Sequence, residues 1–204
     1  MKRYLWLAGL GFFIICLFAG FYYFTFVHDN DKLPVVGNPG HVVGDFSFTD
    51  QTGKTFTAQD MNGKVSVVEF FYTTCPDLCP RMNANMDKIY EKFKHTPHFE
   101  ILSYTVNPGH DTPPVLAKYA AQYGADPAVW KFLTGPASKT YSLAEHDYLI
   151  GAVDSAHVSG LFVHSQWWAL VDQQRRIRGF YDGTNPQDIG KLEHDIHVLL
   201  KERS

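Results

Sequence analysis

The chain has little net charge, only three cysteines in 204 residues, and no charged residue at all from Tyr4 to Phe26. Eighteen Lys and Arg stand against 21 Asp and Glu, a formal net charge of −3. Mixed signs without a basic surplus leave no electrostatic footprint for a phosphate backbone, so nucleic acid is excluded as a partner. No internal repeat and no low-complexity stretch occurs, which sets aside solenoids and disordered arrays.

The uncharged run is the first positive feature. A bilayer core of about 30 Å needs roughly 20 apolar residues, and Tyr4–Phe26 supplies them. Lys2 and Arg3 precede the run while Asp29 and Asp31 follow it, so the positive-inside rule keeps the N-terminus in the cytoplasm. A cleaved signal peptide is the alternative, but the run is long for one and no A-x-A site follows. "FAGF" offers no cysteine for a lipid anchor. The expectation is a single-pass anchor over residues 1–27, a linker over 28–43 and a globular domain over 44–204. That domain would lie outside the plasma (inner) membrane, on the periplasmic side. Cys16 falls inside the apolar run, so the exported part carries only Cys75 and Cys79.

Beyond the Pro- and Gly-rich linker, "DFSFTDQTGKTFTA" alternates about a Gln-Thr-Gly turn and reads as a hairpin. "KVSVVEFFY" reads as a buried central strand and "HFEILSYTVN" as a second. Cys79, Met82, Met86, Ile89 and Phe93 recur at helical intervals. "DTPPVLAKYAAQYG" has Thr112 as a cap, prolines at its start and Gly124 at its end. "VWKFLTG" reads as a strand, "TYSLAEHDY" as a short helix and "LFVHSQWWALVDQQRRIRGFYDG" as two extended runs about a turn. A last helix starts at Asn185-Pro186 and shows Ile189, Leu192, Ile196 and Leu199 along one face. Strands alternating with helices, with a late hairpin, give an α/β fold around a mixed sheet.

In "FFYTTCPDLCPRM" the two cysteines sit at a strand-to-helix junction, each followed by proline. Pro76 and Pro80 are tolerated only near a helix start, which places the N-terminus of the helix close to Cys75. Spacing of i and i+4 brings both sulfurs to one face, and the positive helix end favours thiolate. The pair can close a structural disulfide, exchange disulfides, or hold a soft ion with a third ligand from elsewhere. Two thiolates with an imidazole suit Cu(I), and such a site could hold Cu(II) or zinc. Alternation also puts Glu69 on one strand face with Val65, Val67 and Phe71, six residues before Cys75. Buried there it would serve as a proton shuttle for a thiol; paired with a Lys or Arg it would be structural. Asp77, between the cysteines, is a hard ligand that suits copper(I) poorly.

"FFYTTCPDLCPRM", "SYTVNPGHDTPPVLAKYAAQYG", "WKFLTG" and "VHSQWWALVDQQRRIRGFYDG" follow one another as in the Sco/SenC family, and the chain resembles that family over roughly residues 41–200. The resemblance implies a membrane-anchored thioredoxin-like fold with an extra N-terminal β-hairpin. It implies copper, as Cu(I) or Cu(II), held by Cys75, Cys79 and His164, and a role in building the CuA centre of cytochrome c oxidase. The implied partners are the oxidase subunit carrying that centre and another copper chaperone or thiol oxidoreductase. On residues alone, His164 is one of ten histidines, with His157 as a neighbour that could serve instead. His194 and His197 flank acids on the last helix, and His95 and His98 sit in a loop; all four read as solvated. One departure stands in "TVNPGHDTP", where Asn107 replaces the aspartate common in the family while Asp111 is present.

Two functions compete on this reading. A metallochaperone needs His164; a thiol–disulfide reductase, with Cys75 and Cys79 as a redox-active disulfide, gains from Glu69. A peroxidase of the peroxiredoxin type shares the fold, but the proline and threonine its cysteine needs do not stand at the usual spacing before Cys75.

Overall fold

The computed structural model describes residues 2–22, 32–153 and 165–202. Contacts divide the chain into two units, Met1–Lys32 and Leu33–Ser204. The first holds α1 (Lys2–Tyr22), which covers most of the uncharged run. Among the described residues no helix is long and apolar enough to cross a membrane, so the expected spanning helix rests on the sequence.

The second unit is built on a seven-stranded sheet. Its centre is β3 (Val65–Phe71), β4 (Phe99–Thr105) and β5 (Trp130–Thr134), all parallel. Every residue of β3 and β4 is buried, as expected of central strands covered on both faces, and Glu69 and Glu100 are buried among them. The expected hairpin, β1 (Ser47–Asp50) and β2 (Thr55–Thr57), adds antiparallel to β5. The late hairpin, β6 (Trp167–Val171) and β7 (Ile177–Asp182), adds antiparallel to β3 on the other side. The order is β2-β1-β5-β4-β3-β6-β7.

Helices cover both faces. On one, α2 (Leu78–Phe93), α3 (Pro113–Ala121) and α6 (Pro186–Lys201) bury Met82, Met86, Leu116, Ile189 and Ile196 against Val67, Ile101, Trp130 and Leu170. On the other, α4 (Ala137–Ser142), a wider turn over Leu143–Asp147 and α5 (Ile150–Val153) join Met61, Phe48 and Tyr148 against Val68, Phe70, Leu102 and Tyr104. The caps follow the sequence signals. Asn185 accepts from the Gln187 N–H, Pro113 and Pro186 open their helices, and Gly124 takes φ +57° just beyond α3.

The stretch from Leu33 to Val43 is hydrogen-bonded to the late hairpin. Val36 N–H donates to Ile177 O, Val43 N–H donates to Arg175 O, and the buried Arg178 guanidinium donates to the carbonyls of Leu33 and Pro34. Arg178 also pairs with Asp172 and Glu202.

Candidate functional site

β3 ends at Phe71 and α2 begins at Leu78, so the residues between have neither ladder nor helix bonds of their own. Cys75 lies in this connection and Cys79 in the first turn of α2. The helix thus starts beyond Cys75 rather than at it. Asp77 takes the cap position in an extended φ of −141°, and Pro80 occupies the third helical place, where a missing N–H leaves nothing unpaired. Both thiols are buried, at 8% and 3% exposure, and both are free.

The two sulfurs meet nonetheless, because the connection folds back on the helix start. Cys79 N–H donates to Cys75 Sγ at 3.3 Å, so the sulfur fills a capping role that a Ser or Asp side chain ordinarily fills. Their surroundings are unequal. Burial pushes the Cys75 thiol up, but N–H groups of Cys79 and Asp77, the Cys79 thiol and the Tyr72 hydroxyl all favour its charged form. The net direction is down. Burial pushes Cys79 well above the usual thiol range, and the nearby Cys75 and Glu69 charges push it further; the Tyr72 N–H only partly offsets this. Cys75 is therefore the more acidic thiol of the pair and Cys79 the less acidic one.

Glu69 is fully buried, on the sheet face that alternation assigns it. Ser103 Oγ donates to its Oε1 at 2.6 Å and itself accepts from Trp130 Nε1 at 2.9 Å. Asn83, oriented so that both ends of its amide are satisfied, donates to Oε1 at 2.7 Å and accepts from the Tyr119 hydroxyl at 2.8 Å. Burial pushes the carboxyl up to about 7, against the help of Ser103 and Trp168. Of those two Ser103 gives more, because the buried Trp168 Nε1 reaches no acceptor at good geometry. Asn83 lies one turn after Cys79 on α2, so this polar cluster sits under the cysteine helix.

His164, the expected third ligand, lies outside the described residues, as does His157. Among the described residues no three His, Cys, Asp or Glu side chains gather closely enough to hold a metal ion. His197 packs on Phe93, ring centroids 4.9 Å apart, instead of pairing with His194 in a site. Asp77 is exposed and reaches Arg81 at 3.3 Å. The donor set that the structure does place, one thiolate-prone sulfur touching one protonated sulfur, fits a soft cation once both are deprotonated. It equally fits an attacking and a resolving thiol.

Ser103, Asn83, Tyr119 and Tyr72 were missed from the sequence. No local pattern marks them: Ser103 shares β4 with apolar neighbours, and Asn83 interrupts an apolar helix face. The polar break in that face, one turn after Cys79, was the one available signal.

Comparison with known proteins bears on this site. The SCO1/SenC family model matches residues 36–201. The SCO1 protein homolog of Bacillus subtilis is 33% identical over 190 residues, covering 93% of this chain and 92% of that one. The solved structure of BsSco, described as having a disulfide switch and as a Sco family member among cytochrome c oxidase assembly proteins, superposes with TM-score 0.70 at 25% identity. It spans 84% of this chain and 99% of that one. Bradyrhizobium japonicum ScoI, solved with copper bound, shares the fold at TM-score 0.60 and 20% identity, over 78% of this chain and 99% of that one.

Proposed function

The chain belongs to the SCO1/SenC family, and from that premise we propose that it is a membrane-anchored copper-binding protein that delivers copper to, or prepares, the CuA site of cytochrome c oxidase. Cys75 and Cys79 supply two sulfurs and His164 the imidazole. The uncharged N-terminal run, over residues 1–27, anchors the chain, with the thioredoxin-like domain of residues 44–204 outside the membrane. The observation that carries this reading is the Cys79 N–H donating to the Cys75 sulfur at one helix start, with both thiols buried and unbridged.

Copper is cargo here. Cys75 offers a thiolate first, because N–H and O–H donors already surround its sulfur. Cys79 must lose its proton to become the second ligand. The oxidase subunit with the CuA site, or another copper chaperone, then takes the ion by ligand exchange.

The unequal thiols also favour a second reading, a thiol–disulfide reductase acting on partner cysteines. The Cys75 thiolate would attack a partner disulfide, forming a mixed disulfide and releasing one partner thiolate. Cys79, its proton passed to the buried Glu69 carboxylate, would attack the Cys75 sulfur and release the second. The partner gains two electrons and the pair becomes a disulfide. Such an activity needs Glu69 and not His164.

The test is an anaerobic copper(I) titration of the reduced full-length chain in detergent, for wild type and for Cys75→Ser, Cys79→Ser and His164→Ala. One tight ion per chain, lost in both serine variants and weakened in the alanine variant, is expected. Equal and poor binding by all four proteins, with disulfide reduction retained by wild type, would leave the reductase reading standing alone.

A further inference from the structure

Behind the loop that carries Cys75 lies a carboxylate with no part in the copper chemistry above. Asp111 is fully buried. Its Oδ2 accepts from the Thr73 N–H at 3.0 Å and from Thr105 Oγ1 at 2.5 Å. Its Oδ1 accepts from Thr73 Oγ1 at 2.5 Å and lies 2.8 Å from His110 Nδ1. The turn that holds it is itself closed, since the N–H groups of His110 and Asp111 both donate to Asn107 O. One carboxylate therefore joins the end of β3, the end of β4 and the turn leading to α3.

Thr73 stands two residues before Cys75, in the stretch that has no ladder and no helix bonds. The placing of Cys75 relative to the helix then depends on a few local contacts, and Thr73 is gripped through its backbone and its side chain at once. Charge-assisted hydrogen bonds of this kind are shorter and stronger than neutral ones. The family pattern places an acid at 107; this chain has Asn there, and the acid that reaches the cysteine loop is Asp111.

We propose that Asp111 is a positioning residue, which, by holding Thr73 through both N–H and hydroxyl, keeps the Cys75 sulfur in register with Cys79. This deepens the copper reading and rests on it for the metal arm of the test only. Loss of a partner that orients a metal ligand typically weakens binding by about 10–100-fold.

The experiment uses the full-length chain in detergent, with Thr73→Val, Thr73→Ser and Asp111→Asn beside wild type. Copper(I) affinity is read by competition with a chromophoric chelator. The relative alkylation of Cys75 and Cys79 by iodoacetamide is read by mass spectrometry on reduced, metal-free protein. Thr73→Val is expected to bind copper about 10-fold weaker or worse and to lose the preference for alkylation at Cys75. Thr73→Ser, which restores the hydroxyl, is expected to behave as wild type in both. Folded Asp111→Asn is expected to lose the same preference. A Thr73→Val or Asp111→Asn protein that keeps the wild-type preference overturns the proposal, as does a Thr73→Ser protein that fails along with the valine. If wild type takes up no copper, the copper reading falls while the alkylation ratios still decide the role of Asp111.

Discussion

Glu69 meets only neutral donors, Ser103 and Asn83, at hydrogen-bond distance among the described residues. Desolvation therefore wins, and its carboxyl is pushed up from 4.5 to about 7. A raised carboxyl means that the folded chain holds a proton which the unfolded chain releases between those two values. Stability should then be greatest below the ordinary carboxyl range and fall as pH rises to about 7. The shift corresponds to roughly 3 kcal/mol. Glu69→Gln should flatten the melting temperature of the metal-free protein across that window. A wild-type melting temperature that climbs between pH 5 and 7 while the variant's does the same would show that Glu69 is paired. The burial of Glu69 was legible, because a strand alternates with period two and the other residues on its face are apolar. Its partners were not. Ser103, Asn83 and Tyr119 arrive from three other elements, and only the tertiary fold brings them together.

At the scale of elements, most of the sheet was readable because its strands are short runs rich in β-branched and aromatic residues and the helices carry capping signals. The start of α2 was less so. Two prolines four apart restrict where a helix can begin, and the sequence favours a start near Cys75; the chain starts it at Leu78. The result preserves the proximity of the sulfurs by a different route, a folded-back connection instead of two adjacent turns. Close packing below the site is equally tight. An added Cβ on Gly183 would lie 2.5 Å from Cε2 of the buried Trp168. Gly183→Ala should cost about 1–3 kcal/mol through overpacking and shift the emission of the buried tryptophan. Unchanged stability and emission would mean that β6 and β7 move apart freely at this point.

For the molecule as a whole, Cys75 comes from the connection after β3 and Cys79 from the first turn of α2, the acid beneath them from a central strand, and the grip on Thr73 from the turn after β4. A span of the chain from Leu33 to Val43 is bonded to the far hairpin through Arg178 and its partners. Its Pro- and Gly-rich composition suggests a free linker, and composition alone does not reveal that its carbonyls have buried donors waiting. The proposed third ligand, His164, is the part that local pattern supports least, since one histidine among ten has no periodicity to single it out. It comes from the family motif. The measurement that tests the account most directly is copper K-edge X-ray absorption on the loaded full-length chain, beside the His164→Ala variant. Two sulfur neighbours and one imidazole in wild type, with the imidazole lost and both sulfurs kept in the variant, is the predicted result. A first shell of nitrogen and oxygen alone, or an imidazole that survives the substitution, would contradict it.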